Sequence, residues 1–241
     1  MNTGFKSSDF CIAFEMLKAA GHPSNGGKKH KYAWNTTNPL FKAYKRSNIV
    51  SFFNTLIIEH ILKRAALRGP KSGATLANPQ KLLDMCVNGF KDNQQTKYEY
   101  VTKQSHKQVI QNLIAKKIKF YIGGFSGVRD GLVESMDNRL IILITDRTYF
   151  SGEKQYNLQM DLKISKVTTY GDIKIILPKY HKFLEKEEYQ QTNSAGVSIP
   201  SDFYTYLYMR SSIDPMAQHQ ANHMESLLSK KTDSFLYWQG K

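Results

Sequence analysis

The chain has 241 residues, 34 Lys and Arg against 20 Asp and Glu, a formal net charge of +14 and a pI near 9.6. With 41% hydrophobic and 12% aromatic residues it can bury a core, so composition excludes a disordered chain. Two widely spaced cysteines exclude a disulfide framework or zinc site, and no apolar run approaches the roughly 18 residues of a membrane-spanning helix. A basic balance of this size favours a polyanionic partner, nucleic acid first and an anionic membrane surface second.

The charge is uneven. Residues 1–75 hold 12 Lys and Arg against Asp9, Glu15 and Glu59, a net +9, whereas the other 166 residues hold 22 against 17. The first third is therefore the better candidate for contacts with phosphate. The N-terminus carries acidic residues and no apolar signal stretch. Together with Cys11 and Cys86 as buried thiols, this gives the expectation of an intracellular protein, or one packaged in a particle.

In chain order, Ser8 and Asp9 cap a first helix to about residue 20, with Phe10, Phe14 and Leu17 on one face. Residues 24–31 form a glycine-rich basic loop followed by Tyr32 and Trp34, and aromatic side chains beside a basic loop suit stacking on unpaired bases. Lys42, Lys45 and Arg46 cluster on a short helix. Apolar residues spaced i, i+3, i+4 then predict a long amphipathic helix over 47–68, with His60 on its apolar side and Lys63, Arg64 and Arg68 at its end. Gly69-Pro-Lys-Ser-Gly73 breaks the chain, and Pro79 stands in the first turn of another helix. The polar stretch 92–96 divides a basic helical region, 1–92, from an α+β core, 93–241; a single domain overall is also compatible.

Further on, residues 98–102 read as a short strand, Ser105 as the cap of a helix facing the core with Val109, Ile110, Leu113 and Ile114, and 118–122 as a strand. Lys116, Lys117 and Lys119 cluster at the exit of that helix. Gly123-Gly-Phe-Ser-Gly127 is a tight turn. Leu140 to Ile144 is an unbroken apolar run of the length of a strand buried on both faces. After Ser151-Gly152, residues 156–167 alternate, Tyr156, Leu158, Met160, Leu162 and Ile164 facing one way and Asn157, Gln159, Asp161, Lys163 and Ser165 the other. That period predicts a half-wet strand paired with 140–144 in a central hairpin. Residues 170–172 turn into a last core strand, 173–177. A polar helix starts at Pro178, an exposed loop covers 190–198, 202–210 is aromatic, and Pro215 opens a final helix to about 230, followed by an apolar end, 235–238. The fold expected is α+β: a helical basic N-terminal part, a central, mostly antiparallel sheet over about 117–177, and a helical C-terminal part.

Three functions fit. The first is a non-enzymatic protein that binds DNA or RNA through the phosphate backbone, with Lys28, Lys29, Lys31, Lys42, Lys45, Arg46, Lys63, Arg64, Arg68 and Lys71 as phosphate contacts and Tyr32 and Trp34 as stacking residues; it needs no cofactor. The second rests on residues 146–163. Asp146 followed by Asp161-Leu-Lys163 resembles the PD-(D/E)xK class of metal-dependent nucleases. The resemblance implies a Mg²⁺-dependent endonuclease in which Asp146 and Asp161 hold the metal and Lys163 steadies the nucleophile or the developing charge, with Glu134 as a further contributor. The third is a structural assembly protein, such as a viral coat, matrix or nucleocapsid subunit, whose basic arm faces a genome and whose apolar segments serve a homo-oligomer. His219 and His223, at i, i+4 on one helix, have a spacing that can chelate a metal with Asp214 or Glu225, but Gln220 replaces the glutamate of the His-Glu-x-x-His motif.

Overall fold

The computed structural model describes residues 7–21, 31–32, 41, 44–66, 73–91, 97–124, 139–178, 184, 191–192, 196–212 and 215–228. The chain divides into two compact units, Met1–Asp92 with Ala221–Lys241, and Asn93–Gln220. The fold is α+β, with no helix among the described residues long and apolar enough to cross a membrane.

In the first unit α1 (Ser7–Gly21) packs on α2 (Arg46–Ile58) and α3 (Pro79–Lys91). Phe10, Ile12, Met16 and Leu17 of α1, Phe52, Phe53 and Leu56 of α2, and Leu82, Leu83 and Cys86 of α3 are buried. Phe10 meets Phe90 edge to face, ring centroids 6.0 Å apart. Pro79 takes the first helical position of α3, where its missing N–H costs nothing, and Asn78 accepts the Lys81 backbone N–H at 2.9 Å. Cys11 and Cys86 are both buried, and burial, reinforced by Asp9, pushes the Cys86 thiol far above its ordinary range.

The helix expected over 47–68 stops at Ile58. Two backbone bonds close it, His60 N–H to Ile57 O at 3.0 Å and Ile61 N–H to Leu56 O at 2.8 Å, with His60 at φ 56°. This is a Schellman ending, sealed by the buried pair Leu56 and Ile61. Its left-handed residue is a histidine rather than a glycine, so the sequence carries no stop signal there. His60 is exposed in this turn and does not lie in the core. Beyond it Leu62–Ala66 is a strand, β2, although Leu-Lys-Arg-Ala-Ala favours helix intrinsically; pairing decides. β1 (Lys31–Tyr32), β2 and β3 (Gly73–Leu76) form an antiparallel sheet in the order β1-β3-β2.

The second unit is built on a five-stranded sheet. Its strands are β4 (Lys97–Thr102), β5 (Phe120–Gly123), β6 (Leu140–Ile144), β7 (Ile164–Val167) and β8 (Ile173–Ile176), in the order β5-β6-β8-β4-β7. Every pairing is antiparallel except β6 with β8. All five residues of β6 are buried, as an apolar run of this length requires. One sheet face is covered by α4 (His106–Ala115) and α5 (Gly152–Leu162), whose Val109, Leu113, Leu158 and Leu162 join Tyr100, Ile122, Ile142, Ile164, Ile173 and Ile175 in the core. Ser105 caps α4 in a full capping box: its hydroxyl accepts the Gln108 N–H, and Gln108 Oε1 accepts the Ser105 N–H at 2.9 Å. Ile114, expected in the core, is 56% exposed on the opposite side of α4.

The central hairpin is not formed. Residues 152–162 are helix, and only the last four residues of the alternating stretch are strand. β7 lies at the sheet edge, with β8 and β4 between it and β6. The reason is in the residue types: Gly152–Leu162 contains no β-branched residue and is rich in Glu, Lys, Gln, Leu and Met, so helix propensity overrides a chance period of two. Leu158 and Leu162 then face the core, while Tyr156 and Met160 are 62% and 61% exposed.

A short 3-10 turn, Arg147–Phe150, precedes α5. β9 (Gln191–Thr192) pairs with β10 (Ser198–Ile199) where an exposed loop was expected. The aromatic segment is a helix, α6 (Asp202–Arg210), buried nearly all round, and the last described helix is α7 (Pro215–Leu228). The polar helix expected from Pro178 and the apolar end at 235–238 lie outside the described residues, apart from Pro178 and Leu184.

Gly171 crosses β4 at close quarters: a Cβ there would stand 2.3 Å from the carbonyl oxygen of Tyr100 and 2.7 Å from its nitrogen. Backbone cannot yield as a side-chain tip can. Gly171→Ala is expected to destabilise the second unit by about 3 kcal/mol or more, read as a lowered urea midpoint at unchanged m-value.

Candidate nucleic-acid interface

The basic residues of the first unit are ordered by its small sheet. Lys31 pairs in register with Thr75, and Thr75 with Lys63; Tyr32 pairs with Ala74, and Ala74 with Arg64. Residues in one row share a face, and successive rows alternate. The row of Arg64 and Ala74 shares its face with Leu62 and Leu76, and Ala74, Leu62 and Leu76 are buried, so that face is turned to the core. The row of Lys31, Thr75 and Lys63 is the alternate one, belonging to the other face. Two lysine positions 32 apart in sequence thus stand two strands apart in space, about 10 Å. The Thr75 hydroxyl between them donates to the Lys63 carbonyl at 3.3 Å. Lys63 and Arg64 are both exposed.

Lys45 and Arg46 form the N-terminal end of α2. Both are exposed, and the first turn of α2 holds no acid. Cations at this end oppose the helix dipole, which favours negative charge there. Lys28, Lys29, Trp34, Lys42, Arg68 and Lys71 lie outside the described residues.

The residues of the nuclease resemblance are not brought together on paired strands. Asp146 caps the 3-10 turn, its Oδ1 accepting the Thr148 backbone N–H at 2.9 Å and the Thr148 hydroxyl at 2.7 Å. These two bonds, with Lys154 beyond them, hold its carboxyl below the ordinary 3.8. Asp161 is in the last turn of α5, where it accepts an ion pair from Lys116 at 2.7 Å, and Lys163 is the left-handed residue that ends the helix. The two-strand scaffold that would hold a metal between Asp146 and Asp161 is replaced by a helix, and Glu134 lies outside the described residues. His219 and His223 are both exposed on α7, Asp214 lies outside the described residues, and no group of three or more His, Cys, Asp or Glu among those described could hold a metal ion.

Two features escaped the sequence pattern. Glu99 and Lys174 are cross-strand partners on β4 and β8, with an ion pair of 3.5 Å and side-chain exposures of 21% and 16%. Burial pulls the Lys174 ammonium below its ordinary value, Glu99 opposes this, and Lys97 and Arg139 add to the lowering. Glu99 Oε2 is buried without a hydrogen-bond partner among the described residues, and the Arg139 guanidinium lies over the Tyr170 ring at 4.2 Å. Tyr170-Gly-Asp172 is therefore a structural crossing between charged strands. The other feature is the conformation of Lys117 and Lys163, at φ 55° and 50°.

Comparison with models of known protein families, with curated proteins and with solved structures finds no match.

The Asp146 cap is a local stability element with a pH signature. A carboxyl held below its ordinary pKa contributes stability that is complete above the unfolded value and is lost as pH falls through the folded one. Asp146→Ala is expected to cost about 1 kcal/mol at neutral pH. Thr148→Ala is expected to return the Asp146 titration, followed by carboxyl NMR, upward toward 3.8.

Proposed function

We propose that this chain binds nucleic acid, acting by contact with the phosphate backbone rather than by chemistry on it. The observation that carries the reading is the row of Lys31, Thr75 and Lys63 on one face of the β1-β3-β2 sheet. It draws support from the charge of the first unit, which has 17 Lys and Arg against 7 Asp and Glu, a net +10, while the second has 17 against 13, a net +4. The exposed pair Lys45 and Arg46, at a helix end without an acid, adds to the positive charge of the same unit.

A lysine row of this kind fixes a backbone without reading a base. It predicts weak sequence preference and an affinity that falls steeply with salt, because each phosphate neutralised releases condensed counterions. Tyr32 falls in the row of Ala74, on the face turned to the core, so Trp34 is the residue proposed to stack on unpaired bases.

The test is a titration of the full chain against labelled single- and double-stranded DNA and RNA over a range of salt concentrations. Wild type is expected to give a linear fall of log K with log salt. Lys63→Ala is expected to make that slope shallower by about 0.7 on single strands and 0.9 on duplex DNA, one lost contact. An affinity independent of salt would sink the reading.

A further inference from the structure

We infer that the second unit carries its own phosphate-contacting edge, on the turns that follow α4 and α5, formed by Lys116, Lys117, Lys119 and Lys163. The inference rests on the nucleic-acid reading above and adds a surface on the other unit of the chain. The ligand is the phosphodiester backbone, held without base contacts.

The two turns are tied together. Lys116, the residue that closes α4, reaches Asp161 in the last turn of α5 at 2.7 Å. Lys117 follows Lys116, and Lys163 follows Asp161 by two residues. All four lysines are exposed. Asp161 is engaged by Lys116, so Lys117, Lys119 and Lys163 have no acidic partner among the described residues. Thr102 secures the α5 turn by donating its hydroxyl to the Lys163 carbonyl at 3.1 Å, and exposed Lys103 comes next in the chain.

The backbone gives the second argument. α4 ends as α2 does, with Lys117 N–H to Ile114 O at 2.9 Å and Ile118 N–H to Leu113 O at 3.1 Å. α5 ends with Lys163 N–H to Met160 O at 3.2 Å. Both endings need a residue in the left-handed region, where glycine is unstrained and a side chain with a Cβ is not. The fold alone is better served by glycine at 117 and 163. A cation beside the last carbonyls of a helix gains from the dipole, which gives a competing structural account of these two lysines. That account does not reach Lys119, beyond the cap of α4.

The two accounts predict opposite results for Lys117→Gly with Lys163→Gly. These changes remove both side chains and both strained conformations. On the present proposal the full-length variant keeps its Tm or gains about 2–4 °C per substitution, while its slope of log K against log salt becomes shallower by about 1.4 on single strands and 1.8 on duplex DNA. Lys119→Ala, outside both caps, is expected to remove about half as much. A Tm that falls while affinity and slope stay at wild-type values makes the dipole account correct and overturns the proposal. Unchanged slopes in these variants, with a weakened Lys63→Ala protein, overturn it while leaving the first-unit interface standing. A wild-type protein with no salt-dependent binding overturns both.

Discussion

The second unit depends on the parallel pairing of β6 with β8. Antiparallel neighbours can be joined by a tight turn, but parallel ones need a crossover long enough to return the chain to its starting end. Here the crossover runs from 145 to 172 and contains the 3-10 turn, α5 and β7. Because it must pass over the sheet, α5 is laid across it and buries Leu158 and Leu162 against Ile142, Ile173 and Ile175. Because it must come back, it deposits β7 at the far edge beside β4. The return passes so close to Tyr100 that only glycine fits at 171. The position of Asp161, at the end of a helix rather than on a strand beside Asp146, is a consequence of the same pairing.

Charge is distributed on different logic in the two units. In the first, lysine and arginine outnumber acids by 17 to 7. In the second, acids are nearly as numerous as bases and several are used in pairs: Glu99 with Lys174, Asp161 with Lys116, Asp146 with Lys154. The two exposed pairs, Asp161 with Lys116 and Asp146 with Lys154, contribute little to stability, at most about 1 kcal/mol each. Their effect is on the field: they cancel charge locally and leave the lysines of the turns as the exposed excess.

The sequence showed most where one residue type forces one geometry. The unbroken apolar run of β6, the Ser105 capping box and Pro79 at the start of α3 each carry their structure in a few adjacent residues. It misled where two signals conflicted. Residues 156–162 alternate like a strand but lack the β-branched residues that make one, and composition prevailed. It was silent where a common signal was replaced: His60, Lys117 and Lys163 stand where glycine would have announced the end of a helix, so the helix pattern of α2 runs on past Ile58. The basic residues of the proposed interface could be named from the sequence, but their arrangement could not. Lys31 and Lys63 become neighbours only through Thr75, and no local pattern encodes a register between three distant segments.

The strand order also sets a timetable during synthesis. β4 lies between β8 and β7, and both partners follow it by about 60 residues or more, which at roughly 5–20 residues per second is a delay of about 3–12 s. For that interval the nascent chain holds a strand with two open edges and the large rings of Tyr98 and Tyr100, a template for unwanted pairing. Lys97 and Glu99 within the strand, and Lys103 just after it, place charge along those edges, as gatekeeping residues do in aggregation-prone segments. The cross-strand partner that Glu99 meets in the finished sheet, Lys174, is made later still than β7, so this carboxylate stays unpaired with it until the sheet is nearly complete.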